Sequence, residues 1–236
     1  MILYGRNPVR EALRGRRAVG AVWATRGAAG EEWLRGREVA EVDASELERL
    51  CGSAEHQGVC AEAAPYPYAD PSRLLEAEDA LVLCLDEIQD PHNLGAVCRV
   101  AESAGAAGVV IPERRSADVT PATCKASAGA VEHLALARVG NLANWLASAK
   151  AAGAWAYGAD NSPSAVPYEQ PDYRGRVVVV LGSEGWGLRP RVAGACDGLV
   201  RLPQRGRIAS LNVATAAAAL VYGILQFREE ALDRGT

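Results

Sequence analysis

From residue 81 to residue 202, short unbroken apolar runs alternate with stretches that carry a helical repeat, and this alternation restricts the fold more than any other feature. The runs at 81–85, 108–111, 133–139, 154–158, 177–181 and 198–202 read as strands. The stretches at 94–104, 141–151 and 211–228 read as helices. A strand with one wet face alternates apolar and polar residues, whereas an unbroken apolar run is buried on both faces. The expected class is therefore α/β, a mostly parallel sheet covered by helices on both sides.

Residues 1–64 follow a different pattern. Residues 7–13 look helical, with Pro8 near the first turn, where its missing N–H costs little. Residues 21–25 and 58–63 read as strands, and Ser45 with Glu48 three residues later reads as a capped helix start. Pro65, Pro67 and Pro71 cannot sit inside regular structure. Three parts are expected: a module at 1–64, a linker at 65–78 and a larger domain at 79–236.

Charge is placed unevenly between those parts. The net charge is −4, yet residues 1–26 hold six arginines (6, 10, 14, 16, 17 and 26) against one acid, Glu11. Of the 25 basic residues only Lys125 and Lys150 are lysines, and arginine suits bidentate phosphate contacts and base stacking. A compositional habit of the source genome would look the same. No apolar run approaches the roughly 20 residues that cross a bilayer, and the start lacks a charged segment followed by an apolar one. The six cysteines (51, 60, 84, 98, 124 and 196) form no CxxC pair and the three histidines are scattered. No metal site, no membrane association and a reducing cytoplasm are expected.

Ligands on such a sheet bind beyond the carboxyl ends of the strands. Three segments lie there. Residues 86–99 leave a strand and enter a helix that Asp90 or Asn93 can cap, with Arg99 near its second turn. Residues 177–188 run from five apolar residues into Gly182, Gly185 and Gly187, which let a ligand approach the backbone, and Glu184 among them suits a positively charged ligand better than a phosphate. Residues 202–220 pass through a basic loop to a small-residue helix, for which Ser210 is a natural cap. Each segment alone also has a plain structural reading: Arg99 as a solvated helix residue, Glu184 as a wet turn residue, Ser210 and Asn212 as caps.

Taken together, Asp90-Pro91-His92-Asn93-Leu94-Gly95 with Arg99, Gly182-Ser183-Glu184-Gly185-Trp186-Gly187-Leu188, and Ser210-Leu211-Asn212-Val213 resemble motifs one, two and three of the SpoU/TrmH methyltransferases, in the family's order and spacing. The resemblance covers roughly residues 80–228. Tyr4-Gly5-Arg6-Asn7-Pro8-Val9, His56-Gln57-Gly58-Val59 and the stretch from Lys125 to Glu132 resemble the RlmB-type branch. Gln204 stands where a methionine is common, and Ala209 where a small hydroxyl residue often precedes Ser210.

The resemblance implies a parallel α/β sheet with a C-terminal trefoil knot, an exception to un-knotted topology. It also implies a ribosomal-protein-like RNA-binding module, a homodimer with the active site near its interface, and S-adenosylmethionine as cofactor. The reaction would be 2′-O-methylation of RNA ribose, at a guanosine of 23S rRNA, or, as the runner-up, a guanosine of tRNA. Asn93, Arg99, Glu184, Ser210 and Asn212 would be catalytic. Ala159, Leu181, Gly182, Leu202 and Leu211 would line the cofactor pocket, and Arg6, Arg10 and Lys125 would touch RNA. A guanidinium is a poor base, because its neutral form is scarce. Arg99 is therefore expected to grip a phosphate and polarise the 2′-oxygen rather than abstract its proton. Ala214, Ala217 and Ala218 are expected to allow close approach of a second copy.

A nicotinamide-dependent oxidoreductase would explain the alternation, but GxGxxG is absent after every expected strand. A catalytically dead RNA-binding relative is opposed by the presence of all five residues given catalytic roles.

Overall fold

The computed structural model describes residues 1–183, 185–207 and 210–234. The N-terminal unit comprises β1 (Ile2–Tyr4), α1 (Arg6–Arg14), β2 (Val19–Ala24), α2 (Arg26–Ala29), β3 (Ala40–Glu41), α3 (Ala44–Cys51) and β4 (Val59–Ala63). Its sheet runs in the order β1-β4-β2-β3, with β4 antiparallel to both β1 and β2. The second unit continues with β5 (Leu81–Asp86), α4 (Pro91–Ser103), β6 (Gly108–Pro112), α5 (Pro121–Ala126), β7 (Leu136–Val139) and α6 (Leu142–Ala151). It ends with β8 (Trp155–Ala159), β9 (Val166–Pro167), β10 (Val177–Gly182), α7 (Pro190–Ala193), β11 (Gly198–Arg201) and α8 (Val213–Arg234).

The larger sheet is parallel at every pairing, in the order β7-β6-β5-β10-β8-β11-β9. Alternate residues of each central strand serve opposite faces. Leu83, Leu85, Val179 and Leu181 meet Leu94 and Val97 of α4 and Leu220 and Ile224 of α8 in one core cluster. Val82, Cys84, Val178 and Val180 meet Trp145 and Leu146 of α6 and Val192 of α7 in the other. Both faces are dry, which is why these strands read as unbroken apolar runs.

The proline-rich segment is fastened to the sheet rather than slack. Ala69 N donates to Leu136 O at 2.6 Å, and the Tyr66 hydroxyl donates to Leu134 O at 2.7 Å. The two units share a buried seam. Leu3, Val9 and Ala12 belong to the same core cluster as Leu94, Val131 and Leu136. Arg17 is ion-paired there with Glu132, their side chains 1% and 0% exposed.

Several local expectations are corrected. Asp43, not Ser45, caps α3, accepting from Glu46 N at 2.8 Å while Ser45 Oγ donates to the same carboxylate. Of the two caps expected for α4, Asp90 is the one used, accepting from His92 N at 2.9 Å. The strand expected from 133 begins only at Leu136, because residues 130–132 form a helical turn that buries Glu132. The last helix starts at Val213, and Asn212 takes the capping role expected of Ser210, its Oδ1 accepting from Ala214 N at 2.9 Å. Ala217 is fully buried in its own chain and cannot face a second copy, whereas Ala214 and Ala218 are half-buried.

Candidate active site

Strands β8, β10 and β11 are neighbours, and their carboxyl ends surround a cleft of about 360 Å³. Ala159, Leu181, Gly182, Leu202 and Leu211, the five residues expected to line a cofactor pocket, all line it. So does Ser210, which lies within the stretch leading from β11 to α8. Three elements far apart in sequence thus meet where a parallel sheet places its ligands.

Gly182 is required by the closeness of the chain to itself. A Cβ there would lie 2.2 Å from the carbonyl carbon of Gly187 and 2.3 Å from its oxygen. Ser183 N donates to Gly187 O at 3.2 Å and Gly187 N to Ser183 O at 2.9 Å, closing a tight loop in which Gly185 and Gly187 take φ of 84° and 67°. Gly182→Ala must push this backbone apart, and overpacking of this kind costs about 1–3 kcal/mol. Because the displaced backbone is a wall of the cleft, the variant should bind S-adenosylmethionine at least ~10-fold more weakly, read by calorimetric titration; unchanged affinity would separate the loop from the cofactor.

Behind the loop, the buried Asp86 at the end of β5 accepts from Arg189 N at 2.8 Å and Nε at 2.7 Å. The bond to Asp86 raises the guanidinium pKa of Arg189 above its ordinary value. Arg189 also pairs with Glu87 at 3.2 Å, and Glu87 with Arg115 at 3.3 Å. The buried Asp86 thus fixes where the glycine loop passes into α7, a role that was not expected of it.

The first and third motifs meet directly, since Asn212 Nδ2 donates to Asn93 Oδ1 at 2.9 Å. Asn93 lines a second cleft of about 550 Å³, which shares Ser183 and Trp186 with the first. Arg99 lies on the exposed face of α4 and lines neither cleft, and its side chain has no hydrogen bond or ion pair among the described residues. Glu184 and Ala209 fall outside the described residues.

The three residues expected to touch RNA have intramolecular partners. Arg6 pairs with Glu31 at 2.9 Å and Arg10 with Glu11 at 2.7 Å. Lys125 donates to Glu55 O at 2.7 Å and stands over the Tyr4 ring, so it ties the two units together. Asp160, Ser162 and Trp186 also line the first cleft and were missed. Asp160 and Ser162 directly follow β8, so the strand-end rule that flagged the other segments would have flagged them too.

The lining suits an amphipathic ligand with a cationic group. Val200, Leu202 and Leu220 give apolar walls for a heterocycle, Gly182 and Gly187 expose backbone, and Asp160 supplies a carboxylate. The size falls within the range of small-ligand sites. Among the described residues no three His, Cys, Asp or Glu side chains group to hold a metal, and no helix is long and apolar enough to cross a membrane.

Comparison with known proteins agrees with this geometry. Residues 80–222 match the SpoU rRNA methylase family, and residues 2–69 match the RNA 2′-O ribose methyltransferase substrate-binding family. An uncharacterized tRNA/rRNA methyltransferase of Synechocystis is 37% identical over the whole of this chain, which spans 64% of that protein's length. A Bacillus subtilis protein named for the TrmH family of tRNA/rRNA methyltransferases is 36% identical, with 96% of this chain and 95% of that one aligned. The crystal structure of an AdoMet-bound rRNA methyltransferase from Sinorhizobium meliloti superposes with a TM-score of 0.79 at 26% identity, covering 95% of this chain and 86% of that one. The chain belongs to the SpoU rRNA methylase family, whose members are S-adenosylmethionine-dependent RNA methyltransferases.

Proposed function

We propose that the chain methylates the 2′-hydroxyl of a ribose in RNA, at a guanosine of 23S rRNA, as an RlmB-type enzyme. The observation that carries this reading is the adjacency of the two clefts, one lined by the expected cofactor residues and the other reached by Asn93. The match of residues 2–69 to a substrate-binding family of ribose methyltransferases supports the 2′-oxygen as acceptor. The Sinorhizobium enzyme, an rRNA methyltransferase that superposes over both units, supports ribosomal RNA. A guanosine of tRNA is the second reading, favoured by the joint tRNA/rRNA naming of the Bacillus relative.

S-adenosylmethionine supplies an electrophilic methyl on a sulfonium. Ala159, Leu181, Gly182, Leu202 and Leu211 hold it, and Asp160 offers charge to its cationic part. The Asn93–Asn212 bond keeps the first and third motifs in register at the seam between the clefts. Asn93 and Glu184 orient Arg99 and the RNA, and Ser210 and Asn212 fix the motif-three loop and the nucleotide. Arg99 grips the phosphate beside the target and polarises its 2′-oxygen, and alignment of that oxygen supplies much of the rate.

The unit at 1–64, joined through 65–78 to the domain at 79–236, recruits RNA, with Arg6 and Arg10 at its surface and Lys125 at the seam. Two copies pair through the outer face of α8, where Tyr222 is 50% exposed, with the knotted turns close by. The setting is the cytoplasm and the reaction needs no metal.

The deciding experiment incubates the protein and labelled cofactor with unmodified 23S rRNA or tRNA, with and without chelator, and maps the methylated nucleotide. Ribose methylation of a 23S guanosine, undiminished by chelator, is expected. Methylation of a base, or of tRNA alone, overturns the respective part of the reading.

A further inference from the structure

Trp186 stands at the tip of the glycine loop and is 92% exposed, more than any other large hydrophobic residue among those described. Isolated surface hydrophobics need no explanation. This one forms a wall common to both clefts. The loop that carries it is held by the paired Ser183–Gly187 backbone bonds. The indole itself is left with little of its own chain covering it.

The second cleft faces Trp186 with Glu87, Gln89, Asp90 and Asn93. Glu87 is held at φ 60°, a left-handed conformation that a non-glycine residue adopts at a cost and that clusters at functional sites. Its carboxylate is ion-paired with Arg189 and Arg115, so the acidic charge that disfavours phosphate in this cleft is that of Asp90. A base edge carrying N–H donors fits this floor better than the RNA backbone does. A ribose whose 2′-oxygen reaches the seam between the clefts brings its own base to within a few ångströms of the indole.

We propose that Trp186 is the stacking platform for the nucleobase of the nucleotide being methylated, and that this nucleotide occupies the second cleft. The inference rests on the ribose-methylation reading above and adds the residue that holds the base. A nucleotide drawn out of a folded RNA loses its neighbours in the stack, and an aromatic face replaces them. Such stacking is sequence-tolerant and strengthens binding by about 5- to 150-fold per base.

The test compares wild type, Trp186→Leu and Trp186→Phe on an RNA carrying the mapped nucleotide and on the same RNA with an abasic ribose there. Trp186→Leu should weaken binding of the intact RNA by about 5- to 150-fold, and Trp186→Phe should restore most of the loss. On the abasic RNA, wild type and Trp186→Leu should bind alike, because the cycle isolates the indole–base term. Because Trp186 also lines the first cleft, S-adenosylmethionine affinity is measured in parallel and both RNA comparisons are made at saturating cofactor; sedimenting mass should match wild type in both variants. Intact binding by Trp186→Leu, or a loss that persists on abasic RNA, overturns the proposal. Weaker cofactor binding with RNA binding intact would assign the indole to the first cleft alone, and a changed sedimenting mass would assign it to a contact between copies; either also overturns the proposal. Wild-type methylation of a base rather than a ribose would overturn the underlying reaction instead, while leaving both binding comparisons readable.

Discussion

Replacing Glu132 by alanine is expected to lower the stability of the fold by about 3–5 kcal/mol, the cost of leaving a buried charge without its partner. The charge left behind is Arg17, 115 residues earlier in the chain. Its Nε donates to Glu132 Oε2 at 2.9 Å, its Nη2 to Glu132 Oε1, and its Nη1 to Ala64 O at 3.2 Å. Cys124 Sγ lies 3.7 Å from Glu132 Oε1, and the guanidinium stands 5.6 Å from the Tyr66 ring centroid. Burial is the largest influence on Arg17 and opposes its charge, yet the bond to Glu132, the charge of that carboxylate and the nearby Cys124 together outweigh it and hold the guanidinium above its ordinary pKa. Water cannot take over the missing partner in a seam this dry. Thermal unfolding should shift down on the order of 10 °C for a chain of this size. The double variant Arg17→Met, Glu132→Leu should recover most of that loss, because a buried ion pair is often replaceable by well-packed apolar groups. A Glu132→Ala protein as stable as wild type would show that the two units do not depend on this pair.

This seam also shows where the sequence could and could not be read. The parallel sheet was legible because two-sided burial writes an unbroken apolar run, as in Val177–Gly182. The short elements were not. Val166–Pro167 is a strand only because β11 lies beside it, and Pro190–Ala193 spans a single turn. For α5 a signal existed: Thr120 before Pro121 is a helix start, and Thr120 and Thr123 form a capping box. The helix-start errors at Ser45 and Ser210 have one cause. In each place a second capping residue, Asp43 or Asn212, stood two positions away, and residues of these types cap about equally well, so propensity could not choose between them. In the site, the motif residues declared themselves by type and spacing, whereas Asp160 belongs to no motif and had only its place directly after β8 to mark it. The Arg17–Glu132 pair had no local signature, since nothing in a sequence marks a contact across so long a separation.

Arg99→Ala is expected to reduce single-turnover methylation on the order of 10²-fold or more, comparable to removing one preorganised electrostatic donor. The structure makes this variant unusually clean. The Arg99 side chain is exposed on α4 and bonds to nothing among the described residues, so its loss should change folding stability by no more than ~0.5 kcal/mol. It lines neither cleft, so cofactor affinity should stay within about twofold of wild type. A fall in turnover with stability and cofactor binding intact leaves contact with RNA as the explanation. Lysine then distinguishes the kind of contact. It keeps the charge but loses the planar fork that can hold a phosphate and the 2′-oxygen together. Arg99→Lys should therefore recover part of the lost rate and no more. Full recovery would mean that a point charge near the phosphate suffices. Full activity in Arg99→Ala would leave Arg99 a solvated helix residue, and the reacting oxygen would then have to be oriented from the Asn93–Asn212 side of the seam alone.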